Sequence, residues 1–162
     1  MNSPPGTILR QATPADLAGI IEVESLSFVH AGERFTPKRV AYLLINPRCL
    51  VNIAANENKV LGWAAGLVWT RGKMPWGRVY ALAVHPDARG QRLGQRLLHD
   101  MIDQLRSRGG AKIFLEVRSD NLTAVRLYEK AGFVMCKPLP NYYGVGIDGV
   151  RMVLNASTSS SV

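Results

Sequence analysis

Val79-Tyr80-Ala81-Leu82-Ala83-Val84-His85-Pro86-Asp87-Ala88-Arg89-Gly90-Gln91-Arg92-Leu93-Gly94-Gln95 is the stretch whose reading decides the fold. It begins as a strand, predicted over residues 78–85 and ended by Pro86. A turn rich in glycine and arginine follows and runs directly into a helix. From there Leu93, Leu97, Leu98, Met101, Ile102 and Leu105 form one apolar stripe at helical spacing. A strand that feeds a helix in this way gathers unpaired backbone N–H groups and the positive end of the helix dipole at one point. Such a point suits phosphate, and glycine lets an anion approach the backbone closely. The rival phosphate patterns do not fit. There is no GxxxxGK[ST], and Gly90 and Gly94 do not complete a GxGxxG. The candidate phosphate-binding residues are therefore Arg89, Gly90, Gln91, Arg92, Leu93, Gly94 and Gln95. The plain alternative is a basic helix start that holds no ligand.

Strand and helix patterns alternate on either side of this turn. Upstream, residues 8–11 read as a strand. Thr13-Pro14 and Thr36-Pro37 each open a helix with a capping hydroxyl followed by a first-turn proline. Residues 50–55 and 60–68 read as two strands joined by the polar turn Asn56-Glu57-Asn58-Lys59. Downstream come a buried strand over 113–117, a helix over 122–130, and strands over 133–136 and 150–154. The predicted order is βααβββαβαββ, an α/β domain with a mixed central β-sheet flanked by helices. One domain spans residues 1–154, and the small, polar residues 155–162 are expected to be a disordered tail.

Composition narrows the function classes. The chain has 162 residues, 47% hydrophobic and 20% charged, which fits one soluble domain with a proper core. No apolar run approaches the ~20 residues of a membrane-crossing helix, and the N-terminus lacks the pattern of a secretory signal. A cytoplasmic location is the default expectation, with no membrane partner. Cys49 and Cys136 stand far apart without CxxC partners and are expected to be reduced and buried. His30, His85 and His99 lack ligand spacing, so no metal site is expected. The formal charge of +8 favours a polyanionic partner, either nucleic acid or a phosphate-rich cofactor.

A second segment supplies the chemistry: Ile113-Phe114-Leu115-Glu116-Val117-Arg118-Ser119-Asp120-Asn121-Leu122-Thr123-Ala124-Val125-Arg126-Leu127-Tyr128-Glu129-Lys130-Ala131-Gly132-Phe133. Glu116 lies in an otherwise apolar strand, where burial would raise its basicity. Asp120 or Asn121 is placed to cap the helix that carries Tyr128. Read alone, Glu116 could equally pair with an arginine, and Tyr128 could be a core residue. Together, however, the two segments resemble the GNAT superfamily of acetyltransferases. The first resembles its acetyl-CoA loop, [Q/R]-x-x-G-x-[G/A], with Arg92 standing where the first motif glycine belongs. The second resembles the LEVR-x-SN-x-x-A-x-x-LYE-x-x-GF pattern of the bacterial ribosomal-protein-alanine acetyltransferases, with Asp120 in place of a serine. The close match covers residues 80–133.

The resemblance implies that acetyl-CoA is the cosubstrate, with no metal. It implies that Glu116 takes the amine's proton and that Tyr128 protonates the coenzyme A sulfur. Leu82, Ala83 and Val84 would splay from the neighbouring strand and hydrogen-bond the pantetheine arm, and their amides would polarise the thioester. Asn121 would contact the cofactor. Because no Cys or Ser stands paired with a His, direct transfer in a ternary complex is preferred over an acyl-enzyme.

The acceptor is read from the flanks. Asn141-Tyr142-Tyr143-Gly144-Val145-Gly146-Ile147-Asp148-Gly149 resembles the YY-x-x-GEDA tail of enzymes that acetylate protein N-termini, with Ile147 and Gly149 departing from it. Tyr142, Tyr143 and Phe35 are thereby candidates for holding a peptide or protein N-terminus, a ribosomal protein among them. An α-amine, with a pKa near 8 against roughly 10.4 for lysine, asks little of a base. A small-molecule amine is the alternative acceptor. A non-catalytic module that binds coenzyme A or nucleic acid is the alternative class, although no RNP-like or zinc-finger pattern supports nucleic acid.

Overall fold

The computed structural model describes residues 6–28 and 33–156. The elements are β1 (Ile8–Gln11), α1 (Leu17–Ser27), α2 (Pro37–Ile45), β2 (Cys49–Ala55), β3 (Val60–Trp69), β4 (Trp76–Val84), α3 (Leu93–Ser107), β5 (Lys112–Arg118), α4 (Leu122–Lys130), β6 (Val134–Leu139) and β7 (Gly149–Leu154). Their order is the one the sequence predicts. Thr36 caps α2 as expected, its hydroxyl accepting from the Arg39 N–H at 3.2 Å. α1 starts later than its proline, because residues 14–16 form a tight 3-10 turn. There the Asp16 carboxylate takes the Thr13 N–H at 2.8 Å and the Arg10 guanidinium at 2.8 and 2.9 Å. His30 and the end of the expected tail fall outside the described residues.

The seven strands are ordered β1-β2-β3-β4-β5-β7-β6, and every adjacent pair is antiparallel except β4 with β5. Each face of the sheet carries its own core. On one, Leu97, Leu98, Met101 and Leu105 of α3 and Val125 of α4 pack over Ile113, Leu115 and Met152. On the other, Ile20, Val23, Val40 and Leu43 of α1 and α2 pack over Val51, Ile53 and Trp63. That second helical layer packs on β2, β3 and β4. On β5, Phe114, Glu116 and Arg118 stay half-buried.

Two local features shape the centre of the sheet. Parallel pairing of β4 with β5 runs only from Trp76/Lys112 to Arg78/Phe114, after which the strands part. Just beyond, Ala65 and Gly66 of β3 face Ala81 and Val79, so Tyr80 has no opposite number. Such a bulge bends its strand and sharpens the local twist. α3 meanwhile sits very close to β3. A Cβ on Gly62 would meet Leu97 Cδ1 at 2.9 Å and the Ala83 carbonyl oxygen at 3.0 Å.

Both cysteines are free, but they are not buried as expected. Cys49 is half-buried at the start of β2, and Cys136 is exposed because β6 is the outer strand of the sheet. Among the described residues no helix is long and apolar enough to cross a membrane.

The contact at Gly62 yields a test. Gly62→Ala forces the added methyl against a backbone carbonyl that cannot swing away, and is expected to cost about 1–3 kcal/mol. Urea unfolding should show a lower midpoint with an unchanged m-value.

Candidate active site

Where β4 leaves β5 a cavity of about 540 Å³ opens. Residues 79–82 form one wall and residues 115–118 the facing one. Asn121, Ala124 and Tyr128 close one end. Glu24, Phe28, residues 33–36 and Arg39 close another, beside Tyr142 and Tyr143. Of the residues singled out from sequence, the fold thus brings Leu82, Glu116, Asn121, Tyr128, Phe35, Tyr142 and Tyr143 around one space. Ala83, Val84 and residues 89–95 are not in its lining; they continue from the end of β4 into α3.

Glu116 faces the cavity side of β5 with its side chain only 6% exposed. Its surroundings are not the apolar ones expected from its strand. Oε2 accepts from Arg78 Nε at 3.0 Å and lies 2.8 Å from Nη2 of the same guanidinium, while Oε1 accepts from Arg151 Nε at 3.1 Å. Arg78 and Arg151 reach it from the strands on either side of β5, which alternation along a single strand could not reveal. Each carboxylate oxygen offers about two acceptor sites, so Oε1 retains one for a further donor.

Tyr128 sits on α4 with its ring buried and edge-on to Phe133, centroids 6.0 Å apart. Its hydroxyl has no hydrogen-bond partner among the described residues. Burial pushes the phenol up to about 12, so it stays protonated at any physiological pH and acts as a hydrogen-bond donor toward an anion. Asn121 is the residue that caps α4, its Oδ1 accepting from the Ala124 N–H at 3.2 Å. Asp120 bonds to Arg118 instead.

The opposite wall is fixed by a buried carboxylate that sequence reading passed over. Glu24, 2% exposed, accepts from Trp63 Nε1 and from the Phe35 N–H, both at 2.9 Å. Burial raises its pKa, and these two neutral donors only partly offset that. It staples the segment before α2 to β3, and Phe35 then meets Trp63 edge-on at 5.6 Å. The signal was present as a carboxylate on the apolar stripe of α1. Glu33 ties the same segment to the end of β5 through Arg118 Nη1 at 3.1 Å.

Tyr142 and Tyr143 stand edge to face, with centroids 5.0 Å apart. Tyr142 Oη accepts from Arg78 Nη2 at 3.3 Å. Burial raises the pKa of Tyr143. The departure at Gly149 has a packing reason, since a Cβ there would lie 2.9 Å from Tyr143 Cε2 and 3.3 Å from Tyr142 Cβ. Asp148 holds this hairpin in place, its carboxylate accepting from the Asn141 N–H at 2.8 Å and its carbonyl from the Ser119 N–H at 3.0 Å.

The turn ahead of α3 has the dihedrals of an anion cradle. Gly90 has φ +77°, and Arg92 has φ 58° with ψ 19°. The first helical bond runs from the Arg96 N–H to the Arg92 carbonyl at 3.1 Å. The N–H groups of Leu93, Gly94 and Gln95 therefore have no acceptor among the described residues. Leu93 contributes backbone alone, because its side chain is in the core. A Cβ on Gly94 would lie 3.5 Å from Val84 Cγ2 and 3.6 Å from Leu127 Cδ2, so the cradle abuts both the end of β4 and α4. Gln91 Oε1 is buried without a partner among the described residues, an acceptor left open to a ligand or solvent donor. These residues fit a phosphate-bearing cosubstrate that enters between β4 and β5. Among the described residues, no group of three His, Cys, Asp or Glu is placed to hold a metal ion.

Arg92 occupies the left-handed region, which costs a side-chain-bearing residue roughly 1–2 kcal/mol. Arg92→Gly is therefore expected to leave thermal stability unchanged or slightly raised. The same variant should weaken acetyl-CoA binding several-fold by removing a cation beside the cradle, with a difference that shrinks as salt is added. Thermal unfolding checks the first expectation, and calorimetric titration at two ionic strengths checks the second.

Comparison with known proteins points the same way. Over 65 residues the chain is 45% identical to the [ribosomal protein bS18]-alanine N-acetyltransferase of Escherichia coli strain K12, covering 40% of this chain and 44% of that protein. Over 84 residues it is 36% identical to N-alpha-acetyltransferase 30 of Schizosaccharomyces pombe, covering 52% and 56%. In these matches the chain spans about half the length of each relative. The crystal structure of the Escherichia coli ribosomal-protein-alanine N-acetyltransferase superposes with a TM-score of 0.79 at 25% identity, over 96% of this chain and 99% of that one. The Acetyltransferase (GNAT) family itself matches residues 18–133, a span that takes in the cradle, Glu116 and Tyr128, and the chain belongs to that family.

Proposed function

We propose that the protein is an acetyl-CoA-dependent N-acetyltransferase whose acceptor is the α-amine of a peptide or protein N-terminus. The observation that carries this reading is the cavity at the parting of β4 and β5. There a carboxylate with one acceptor site left and a phenol with no hydrogen-bond partner among the described residues face a single space. The names of the two sequence relatives, both of them N-acetyltransferases, support it.

Acetyl-CoA brings an activated thioester. Its phosphates would be held by the N–H groups of residues 90–95, with Arg89 and Arg92 adding charge. Its pantetheine arm would lie along the unpaired edge of residues 82–84, with Asn121 beside it. Backbone N–H groups on that edge would then stand where negative charge develops on the carbonyl oxygen.

The acceptor amine would approach past Phe35, Tyr142 and Tyr143 and attack directly. The N–C bond forms, the C–S bond breaks, and the amine's proton passes to Glu116 Oε1, directly or through water. At pH 7 an α-amine with pKa near 8 is already about one-tenth free base, so a carboxylate clamped by two guanidinium groups is base enough. Tyr128 donates to the departing sulfur. A phenol held at about 12 is a weaker acid than a thiol at about 8.5. Its contribution is therefore a hydrogen bond to the developing thiolate, completed by a proton from Tyr128 or solvent.

Two expectations follow for thiol release from acetyl-CoA with a panel of N-terminal peptides, lysine peptides and small amines. Glu116→Gln and Tyr128→Phe should each lower kcat on N-terminal peptides by roughly 10²-fold. Thermal midpoints of both variants identify any loss that comes from unfolding. Turnover confined to small amines would reject the peptide acceptor.

The pH dependence has a fixed sign. With a saturating peptide whose only amine is the α-amine, activity should rise with pH and level off near pH 8, where that amine becomes neutral. No fall assignable to Tyr128 should follow below its value of about 12. A continued rise toward pH 10 would instead show that a group other than the α-amine controls the rate.

A further inference from the structure

The acceptor side of the cavity carries more positive charge than its own carboxylates can neutralise, and the surplus sits in one place. Arg78 is committed to Glu116 at 2.8 Å, and Arg118 to Glu33 at 3.1 Å and to Asp120. Glu24 spends both oxygens on neutral donors. That leaves Arg34 and Arg39, which line the same cavity from the segment before α2 and from its first turn. Among the described residues neither forms an ion pair. Arg34 donates to the Phe28 carbonyl and feels the Glu24 carboxylate only through space, and the Arg39 guanidinium lies 6.0 Å from the Tyr42 ring. Both residues are exposed.

An amine reaching Glu116 draws the rest of its peptide back past this wall. In an extended chain each residue adds about 3.3 Å, so the residues just behind the N-terminal one are the nearest to run past this wall. A guanidinium recognises a carboxylate through paired N–H donors and does so strongly. A lysine or arginine side chain at those positions would meet like charge instead. We propose that Arg34 and Arg39 select acceptors bearing a side-chain carboxylate at the second or third residue. This rests on the peptide-acceptor reading above and adds a chemical class to it.

The test is a set of peptides of one length and one N-terminal residue, with Asp, Asn or Lys at the second and third positions, assayed by thiol release. The wild type should give kcat/KM for the Asp peptide at least about tenfold above the Lys peptide. The ratio should contract as ionic strength rises through the range where the Debye length falls below about 8 Å. Arg39→Glu should bring the ratio to one or below, and the Arg34→Glu/Arg39→Glu double variant should favour the Lys peptide. Position 39 is exposed in the first turn of α2, where a carboxylate suits the helix dipole, so the variant retains its fold. Arg39→Lys, which keeps charge but loses the fork, should retain a reduced preference for Asp. Equal rates on all three peptides, or a ratio that the Arg39→Glu change does not move, overturns the selection by charge while the acetylation of α-amines stands. Turnover of small amines with none of any peptide overturns both.

Discussion

Parallel strands β4 and β5 share ladder positions only from Trp76/Lys112 to Arg78/Phe114, and what the rest of the molecule does follows from the gap that opens beyond. Backbone N–H and C=O groups on the inner edges of that gap have lost their sheet partners, and such groups need another partner when removed from water. The gap is held open from several sides. β4 carries a bulge at Tyr80, a feature that bends a strand. α3 is pressed onto β3 at Gly62, and its own N-terminus abuts Val84 and Leu127 through Gly94. α4, capped by Asn121, drives Tyr128 toward the floor. A strand-like ligand arm laid along the edge would restore the missing hydrogen bonds. The cradle ahead of α3 stands at the end of the same strand.

Charge sets the other half of the arrangement. Glu116, Arg78 and Arg151 form a bridge across three neighbouring strands, and removing the shared carboxylate would leave two partly buried guanidinium groups without it. Arg78 also reaches Tyr142, so the proposed base and the proposed acceptor wall share one guanidinium. On the other flank, Glu24 and Glu33 each pin the segment before α2, one to β3 and one to β5. The segment before α2 on the proposed acceptor side is thus fastened by side chains rather than by sheet pairing.

Sequence alone carried the architecture far, for reasons tied to particular residues. The apolar stripe from Leu93 to Leu105, the Thr36-Pro37 helix start and the glycine-rich turn are local signals, and each reads the same way in the folded chain, whereas at Pro14 a 3-10 turn precedes the helix. The parting of β4 from β5 came from resemblance, since nothing in residues 79–84 themselves announces it. Partners distant in sequence were out of reach. The Glu24–Trp63 bond spans 39 positions, Arg78–Glu116 spans 38 and Arg118–Glu33 spans 85. For that reason the sequence left Glu116 only as a carboxylate in an apolar strand that could equally pair with an arginine, and could not name the two guanidinium groups that hold it. Arg92 shows the reverse case. A departure from the family glycine was visible at once, and the backbone keeps the left-handed conformation that the glycine would have eased.

The central claim, transfer of acetyl from coenzyme A to an N-terminal α-amine, is tested most directly by locating the new acetyl group. A peptide carrying both a free N-terminus and an internal lysine, incubated with acetyl-CoA and the protein, can be fragmented in a mass spectrometer to assign the modified nitrogen. The account predicts acetyl on the α-amine and none on the lysine, with one free thiol released per acetyl group gained. Acetyl on the lysine ε-amine, or no acetylated peptide while a small amine is turned over, would contradict it.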